Sequence, residues 1–355
     1  MKILIAGDWH SKIHEQACHD ALKSIGHEVH AFKWFEYFGG YKYHDMHPAK
    51  TLLLKAQNKL IAGPLIKKIN RELVQKVKRI DPDVLLVYRG THINKETLFE
   101  IKTYSDRIFL VSYNNDDPFS KKASGLLWRH FKRSLSYYDM NFVYRDHNIE
   151  DYTAAGARNI HLLRSYYIPG RNHFVELDNE DAKKFQCDVV FAGHYENDGR
   201  EKYVEEIVKN KIDFKLFGPE WNNVVKKSGY LKKYHPVRMV LDNEYNKALC
   251  GSKIALAFLS KLNRDTYTRR CFEIPATKTF MLSEYSDDLA CLFEEGVEAE
   301  FFRSKKELVE KIHYYLKNPD KRTLIAEKGF ERIVKDGHDV ISRMKQAVDL
   351  INRVS

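Results

Sequence analysis

The feature that most constrains this chain is the texture of its apolar runs. A strand wetted on one face alternates apolar and polar residues, whereas a strand buried on both faces is apolar throughout. Runs of the second kind, short and rich in β-branched residues, stand at KILIAGD (2–8), EVHAF (28–32), DVLLVYRG (83–90), IFLVSY (108–113) and MNFVYRD (140–146). Between them the apolar period changes to three or four, as at Ile66, Ile69, Leu73, Val77 and Ile80, which is a helical stripe. Strand, helix, strand in alternation builds a parallel sheet with right-handed crossovers.

The second half repeats the pattern. DVVFAGH (188–194), FKLFGP (214–219), KIALAFL (253–259), TFMLSE (279–284) and AEFF (299–302) read as strands, with YVEEIVKN, YNKALCGS and KELVEKIHYYLKN as helices between them. YIPGRNHFVELDNEDAKKF (167–185) has no clean period, and it reads as a linker. The expected division is a Rossmann-like domain at 1–168, a linker at 169–186 and a second Rossmann-like domain at 187–338. A terminal helix at 339–355, with Ile341, Met344, Val348 and Ile351 on one stripe, packs back on the first domain. The fold class is α/β, two doubly wound domains facing across a cleft, with ligands outside the carboxyl ends of the strands.

Composition excludes several classes. At 43% hydrophobic and 13% aromatic residues, the chain has ample material for packed cores. No apolar run is long enough for a transmembrane helix, and the apolar part of MKILIAGDWH is too short for a signal peptide. Cys18, Cys187, Cys250, Cys271 and Cys291 are odd in number and form no CxxC, so a reduced, cytoplasmic setting with thiols buried as small hydrophobes is expected. A net charge of +10 fits nucleic acid, an anionic membrane surface or phosphorylated small molecules, and does not choose among them.

The stretch NRDTYTRRCFEIPA (263–276) leaves the carboxyl end of the KIALAFL strand. RRCFEIPA reads as a short helix whose continuation Pro275 discourages. Glu273 then projects from a helix and Asp265 from the loop before it. A carboxylate there can accept bonds from both cis hydroxyls of a ribose, and arginines can hold a diphosphate. Against this stands a plain reading: Arg269 and Arg270 are four and three residues from Glu273, the spacing of ordinary surface pairs contributing roughly 0.2–0.5 kcal/mol. In FAGHYENDGRE (191–201), Gly193 permits close backbone approach and Arg200 has the reach for a ligand, although a plain loop explains both equally well.

NRDTYTRRCFEIPA, the following TFMLSEYSDDLACLFEEGVEAEFFRSKKELVEKIHYYLKNPDKRTLIAEKGFERI and the closing GHDVISR together resemble the CgeB-like glycosyltransferases. The resemblance is strongest over 245–345 and extends to GDWH and YNNDDP (113–118) in the first half. It implies the GT-B architecture and a nucleotide diphosphate sugar donor. In related enzymes two acids separated by seven residues serve the donor, a spacing that Asp265 and Glu273 share, with aspartate in place of the usual first glutamate. The resemblance therefore implies that Glu273 holds the ribose, that Asp265 lies near the transferred sugar, and that Arg264 and Arg270 meet the diphosphate. Asn263, Thr268, Gly193 and Arg200 complete the expected donor set. One departure stands out: Thr277 and Lys278 occupy positions where the family has a small residue and glycine.

On the acceptor side the candidates are Asp8, His10, Asp116 and Asp117, with Asp117 or His10 as the base and Asp265 a further catalytic candidate. Asp116–Asp117 invites a metal reading, yet it belongs to the domain opposite the expected donor site, and Pro118 alone accounts for an Asp-Asp-Pro turn. GDWHSKIHE opens like a two-metal phosphoesterase, without that family's later motifs; His44 and His47 also lack a third ligand. No metal and no resident cofactor are expected.

Residues 50–79 hold nine basic residues and one acid, Glu72. They form either a solvated helix face or a docking surface for anionic lipid, peripheral at the inner face of the membrane. The reading is a glycosyltransferase acting on a glycan, lipid-linked or protein acceptor in cell-surface polysaccharide or glycoconjugate synthesis. Its rivals are a nucleic-acid-binding or modifying protein, for which no motif is visible, and a catalytically silent sugar-nucleotide-binding protein.

Overall fold

Strands buried on both faces need helices on both faces, and each half of the chain supplies them. A computed structural model describes residues 1–40 and 47–354; His44 falls outside these. The chain divides into two compact units, Met1–Arg164 with Val340–Ser355, and Ser165–Asp339.

In the first unit β1 (Lys2–Gly7), α1 (Glu15–Ser24) and β2 (Glu28–Lys33) precede two consecutive helices, α2 (Pro48–Leu60) and α3 (Pro64–Ile80). There follow β3 (Val84–Tyr88), α4 (Lys95–Tyr104), β4 (Phe109–Asn114), α5 (Gly125–Ser134) and β5 (Met140–Val143). α6 (Asn148–Ala154) and β6 (Ile160–Leu162) complete the sheet, which is parallel in the order β2-β1-β3-β4-β5-β6. Leu4, Ala6, Leu85 and Val87 share a core with Ile69, Leu73 and Val77 of α3, the helical stripe expected from the sequence. Ile3, Val84 and Leu86 point the other way, toward Met344, Val348 and Ile351 of the C-terminal helix at 340–352, which also packs on α1.

The second unit begins with α7 (Asn179–Phe185), β7 (Cys187–Ala192), α8 (Arg200–Lys209), β8 (Phe214–Phe217), α9 (Asn222–Lys227) and α10 (Asn243–Cys250). It continues through β9 (Ser252–Ala257), α11 (Arg270–Ala276), β10 (Met281–Glu284), α12 (Asp287–Leu292) and β11 (Glu300–Phe302). α13 (Lys305–Lys317) and α14 (Pro319–Lys335) close it, before α15 (Val340–Asn352). Its parallel sheet runs β11-β10-β9-β7-β8. In each unit the first strand lies between the second and third, so the chain reverses its direction of travel there. Ligands of open α/β sheets bind at such switch points, beside β1 and β3 in one unit and beside β7 and β9 in the other.

Two expectations need correction. Residues 169–186 are not a free linker: Asp178 accepts from the N–H groups of Glu180 and Asp181 at 2.9 and 2.8 Å, capping α7. Phe185 is buried against Phe217, and Lys247 pairs with Asp181 at 2.6 Å, so the segment is folded into the second unit. The acidic patch that suggested a linker is a helix start. β6, paired with β5 over Ile160–Leu162, was not anticipated, because its residues are only half-buried and His161 interrupts the apolar run.

Candidate active site

The second unit's crevice is built by the segments after β7 and β9. Gly193 follows β7, and a Cβ there would stand 2.8 Å from the Phe191 ring and 3.0 Å from Arg270 Nη1. Its carbonyl accepts from Trp221 Nε1 at 2.9 Å and would meet any Cβ placed on Gly218 at 2.1 Å. Glycine is therefore required twice at this crossing, at Gly218 also because its φ is +133°.

Arg270, the first residue of α11, lies with its guanidinium 5.5 Å from the centre of the Phe191 ring. Its Nε is buried with no hydrogen-bond partner, and no ion pair meets it among the described residues. Glu273, one turn on, is buried and accepts from the Tyr245 hydroxyl at 3.0 Å. Burial and the Glu273 charge hold the Tyr245 hydroxyl well above its usual range, so it remains a donor. The plain reading required Glu273 to pair with Arg269 or Arg270, and it pairs with neither. Arg269 instead covers Tyr166, 4.4 Å from the ring centre. Tyr245 was not foreseen, since nothing distinguishes it within the α10 pattern.

The remaining donor-side residues divide. Arg200 is a correction: it is buried, with Nε and Nη2 on Asp198 at 2.9 and 2.6 Å, Nη1 on the His194 carbonyl at 2.9 Å, and Glu196 at 3.3 Å. Four of the five N–H donors of this guanidinium are thus committed inside the fold. It fastens the β7 loop instead. Burial opposes ionisation of Glu196, but bonds from His194 (2.6 Å) and Ser260 (2.5 Å) and the Arg200 charge prevail, holding it down at about 2. Ser260 Oγ also receives the Asn263 N–H at 3.1 Å, so Asn263 belongs to this network linking the two loops. Asp265 exchanges bonds with Ser260, its N–H to the carbonyl at 2.8 Å and its Oδ2 accepting at 3.3 Å. That makes it a loop clamp at its present position. Arg264 is exposed in the left-handed region (φ 50°), and Thr268 is buried before α11, its carbonyl accepting from Cys271 N–H at 3.0 Å. Lys278 has a positive φ of 56°, and its Nζ stands over the Phe330 ring at 5.0 Å.

The first unit's crevice is built after β1 and β3. Asp8 Oδ2 receives His10 Nδ1 at 2.9 Å, and this bond raises the pKa of His10, whose side chain is about half exposed. Asp8 N–H donates to Glu15 at 2.9 Å, and a Cβ on Gly7 would clash with that same carboxylate. Trp9 and Arg89 border the crevice with φ of 63° and 62°, and Arg89 meets Asp116 at 2.7 Å. Asp117 is the second correction. Its side chain is fully buried, with Oδ1 accepting from the N–H groups of Phe119 and Ser120 at 3.0 and 3.1 Å and from Asn148 at 3.1 Å. A base must reach its proton; Asp117 caps a turn and anchors α6 instead. Asp117, His147 and Asp151 converge, with one ligand-type atom from each within 4.8 Å, and Asp117 Oδ2 lies 3.6 Å from His147 Nε2. His47 is exposed and caps α2 through Ala49 N–H at 3.3 Å.

All five thiols are free, and Cys18, Cys187 and Cys271 are buried; burial pushes the Cys187 thiol up to about 12. Among the described residues no helix is long and apolar enough to cross a membrane.

Residues 200–349 match the family model described as Glycosyl transferase-like. HepE of Anabaena, solved with UDP-glucose, superposes with a TM-score of 0.68 at 14% identity, over 99% of this chain and 100% of its own. A glycosyltransferase of Rickettsia africae gives 0.68 at 13% identity, over 99% and 98%. Sucrose-phosphate synthase of Thermosynechococcus elongatus gives 0.66 at 11%, over 100% and 99%. No curated protein matches the sequence. At such identities the likeness carries the fold: the chain has the GT-B fold of two Rossmann-like domains.

Proposed function

We propose that the protein is a glycosyltransferase that moves a sugar from a nucleoside diphosphate sugar to a glycan, lipid-linked or protein acceptor, in the manner of the CgeB-like enzymes. The observation that carries this reading is Arg270, a guanidinium at the switch point of the second sheet with a buried Nε that has no hydrogen-bond partner, and with no ion pair among the described residues. Buried donors are ordinarily bonded, and an arginine fork matches phosphate oxygens. Gly193, having no side chain, lets the Arg270 guanidinium lie close against the turn after β7. Glu273, steadied by Tyr245 through one oxygen, suits the cis hydroxyls of the ribose.

Breaking the bond from sugar to phosphate leaves extra negative charge on the departing diphosphate. Arg270 stabilises that charge where it develops, without a metal in the reading. His10 takes the acceptor proton, with Asp8 holding Nδ1 so that Nε2 is the basic atom. The enzyme is cytoplasmic in this account.

Thermal-shift measurements with UDP, GDP, dTDP, ADP and CMP, with and without EDTA, test it. UDP comes first, because HepE was solved with a UDP sugar. A native-state ligand at a hundredfold excess over its Kd adds about 2.7 kcal/mol of stability. The reading expects stabilisation by one nucleoside diphosphate that survives EDTA and is lost in Arg270→Met. Stabilisation abolished by EDTA would move the reading to the Asp117, His147 and Asp151 group, and none with any nucleotide would refute the donor site.

A further inference from the structure

Consecutive helices α2 and α3 dispose their apolar residues in opposite ways. In α3 the apolar stripe of Ile66, Ile69, Leu73 and Val77 is buried. In α2 only Leu54 is buried, while Leu52, Leu53 and Leu60 are 70%, 61% and 52% exposed. The inward face of α2 is partly polar: Asn58 Oδ1 bonds His92 Nε2 at 2.9 Å. With about 100° between successive residues, Ala49, Leu53, Ala56 and Leu60 fall on one line, with Leu52 beside it. That line lies opposite Leu54 and Asn58. Lys55 and Lys59 border it on one side and Lys50 on the other.

Charge continues the pattern. From Pro48 to Arg71 the sequence holds Lys50, Lys55, Lys59, Lys67, Lys68 and Arg71 and no acid, and all six are exposed. An outward apolar stripe edged by lysines is stable in water only at a cost, and such faces mark a docking surface. We propose that the outward face of α2 seats the protein on an anionic phospholipid bilayer, the leucines entering the boundary between headgroups and acyl chains while the lysines lie among the phosphates. A second copy of the same face is disfavoured, because it would set lysines against lysines. The proposal does not rest on the donor site and holds for any acceptor found at a membrane surface.

Vesicle flotation tests it, using the full chain with phosphatidylcholine vesicles and with phosphatidylcholine mixed with phosphatidylglycerol. The expected result is flotation with the anionic vesicles alone, weakened by salt. Neutralising Lys50, Lys55 and Lys59 to glutamine should weaken binding roughly fivefold for each lysine. Leu52→Ser with Leu53→Ser and Leu60→Ser should abolish it, while an unchanged melting temperature shows that this variant is folded. Failure of the wild type to float at low salt would overturn the proposal, as would equal flotation with neutral vesicles or of the serine variant. Self-association that the serine substitutions remove, without vesicle binding, would assign the face to a second copy instead.

Discussion

The two sheets open crevices at the same topological position and furnish them differently. Beside β1 the charges are closed into pairs: Asp8 with His10, Arg89 with Asp116, and Asp117 with the turn that it caps. Arg89 has an unbonded Nε too, but Asp116 answers its charge. Beside β7, Arg200 is closed in the same fashion by Asp198 and Glu196, whereas Arg270, packed on Phe191, makes no ion pair among the described residues. A buried ion whose partner is internal serves the fold; one whose partner is missing is arranged for a ligand. By that distinction the proposal assigns the anion to the second crevice and, among the described residues of the first, the proton to His10, half exposed and oriented by Asp8.

The largest effect expected from the comparison is catalytic. His10→Ala should lower turnover by roughly 10²–10⁴-fold, the range of general-base catalysis, with donor affinity unchanged. Arg270→Met should do the reverse, weakening the nucleoside diphosphate by on the order of a hundredfold, as loss of charge-assisted bonds does. Titration of each variant with UDP, beside its kinetics, separates the two crevices. If His10→Ala loses the donor as well, the division of labour fails.

Acid should affect the units unequally. Glu196 is depressed, so its contribution to stability is complete above the ordinary glutamate range and is lost as pH falls from about 4.5 toward about 2. Glu196→Gln should remove that pH-dependent contribution, on the order of 3 kcal/mol, as read from denaturant midpoints across that window. His10 is raised, so the free base needed for turnover is lost as pH falls through a value above 6.5. Asp8→Asn removes the bond that raises it and should move the acid limb of kcat/KM to lower pH. An unmoved limb would take His10 out of the mechanism.

Smaller still is the effect of Gly193→Ala, about tenfold on donor affinity, because the new methyl group must displace Arg270 or Phe191. Lys278→Gly sets relief of a left-handed residue against added chain entropy, and should change stability by less than about 0.5 kcal/mol without touching donor binding.

What the sequence conveyed follows from where the physics leaves a local trace. Burial marks a strand in its own composition, so β1 to β5 and β7 to β11 were legible, and half-buried β6, interrupted by His161, was not. The alternation of elements placed GDWH and NRDTYTRRCFEIPA at the carboxyl ends of strands; that these ends are switch points follows from the strand order. Arg200 and Arg270 look alike in sequence; what separates them is Asp198, two residues before Arg200 and in contact with it, while nothing comparable reaches Arg270. Asp117 looked accessible because Asp-Asp-Pro loops ordinarily are, but Asn148 of α6 closes over it. Lys278 adopts a left-handed backbone, a fact visible only in the dihedral angle.

The most direct test of the central claim is calorimetric titration of UDP into the wild type and Arg270→Met, both in EDTA. The account predicts metal-independent binding by the wild type and a loss of affinity near a hundredfold in a variant that melts at the same temperature. Equal affinity in the two proteins would contradict it, and would leave Arg270 a packing residue with its Nε unexplained.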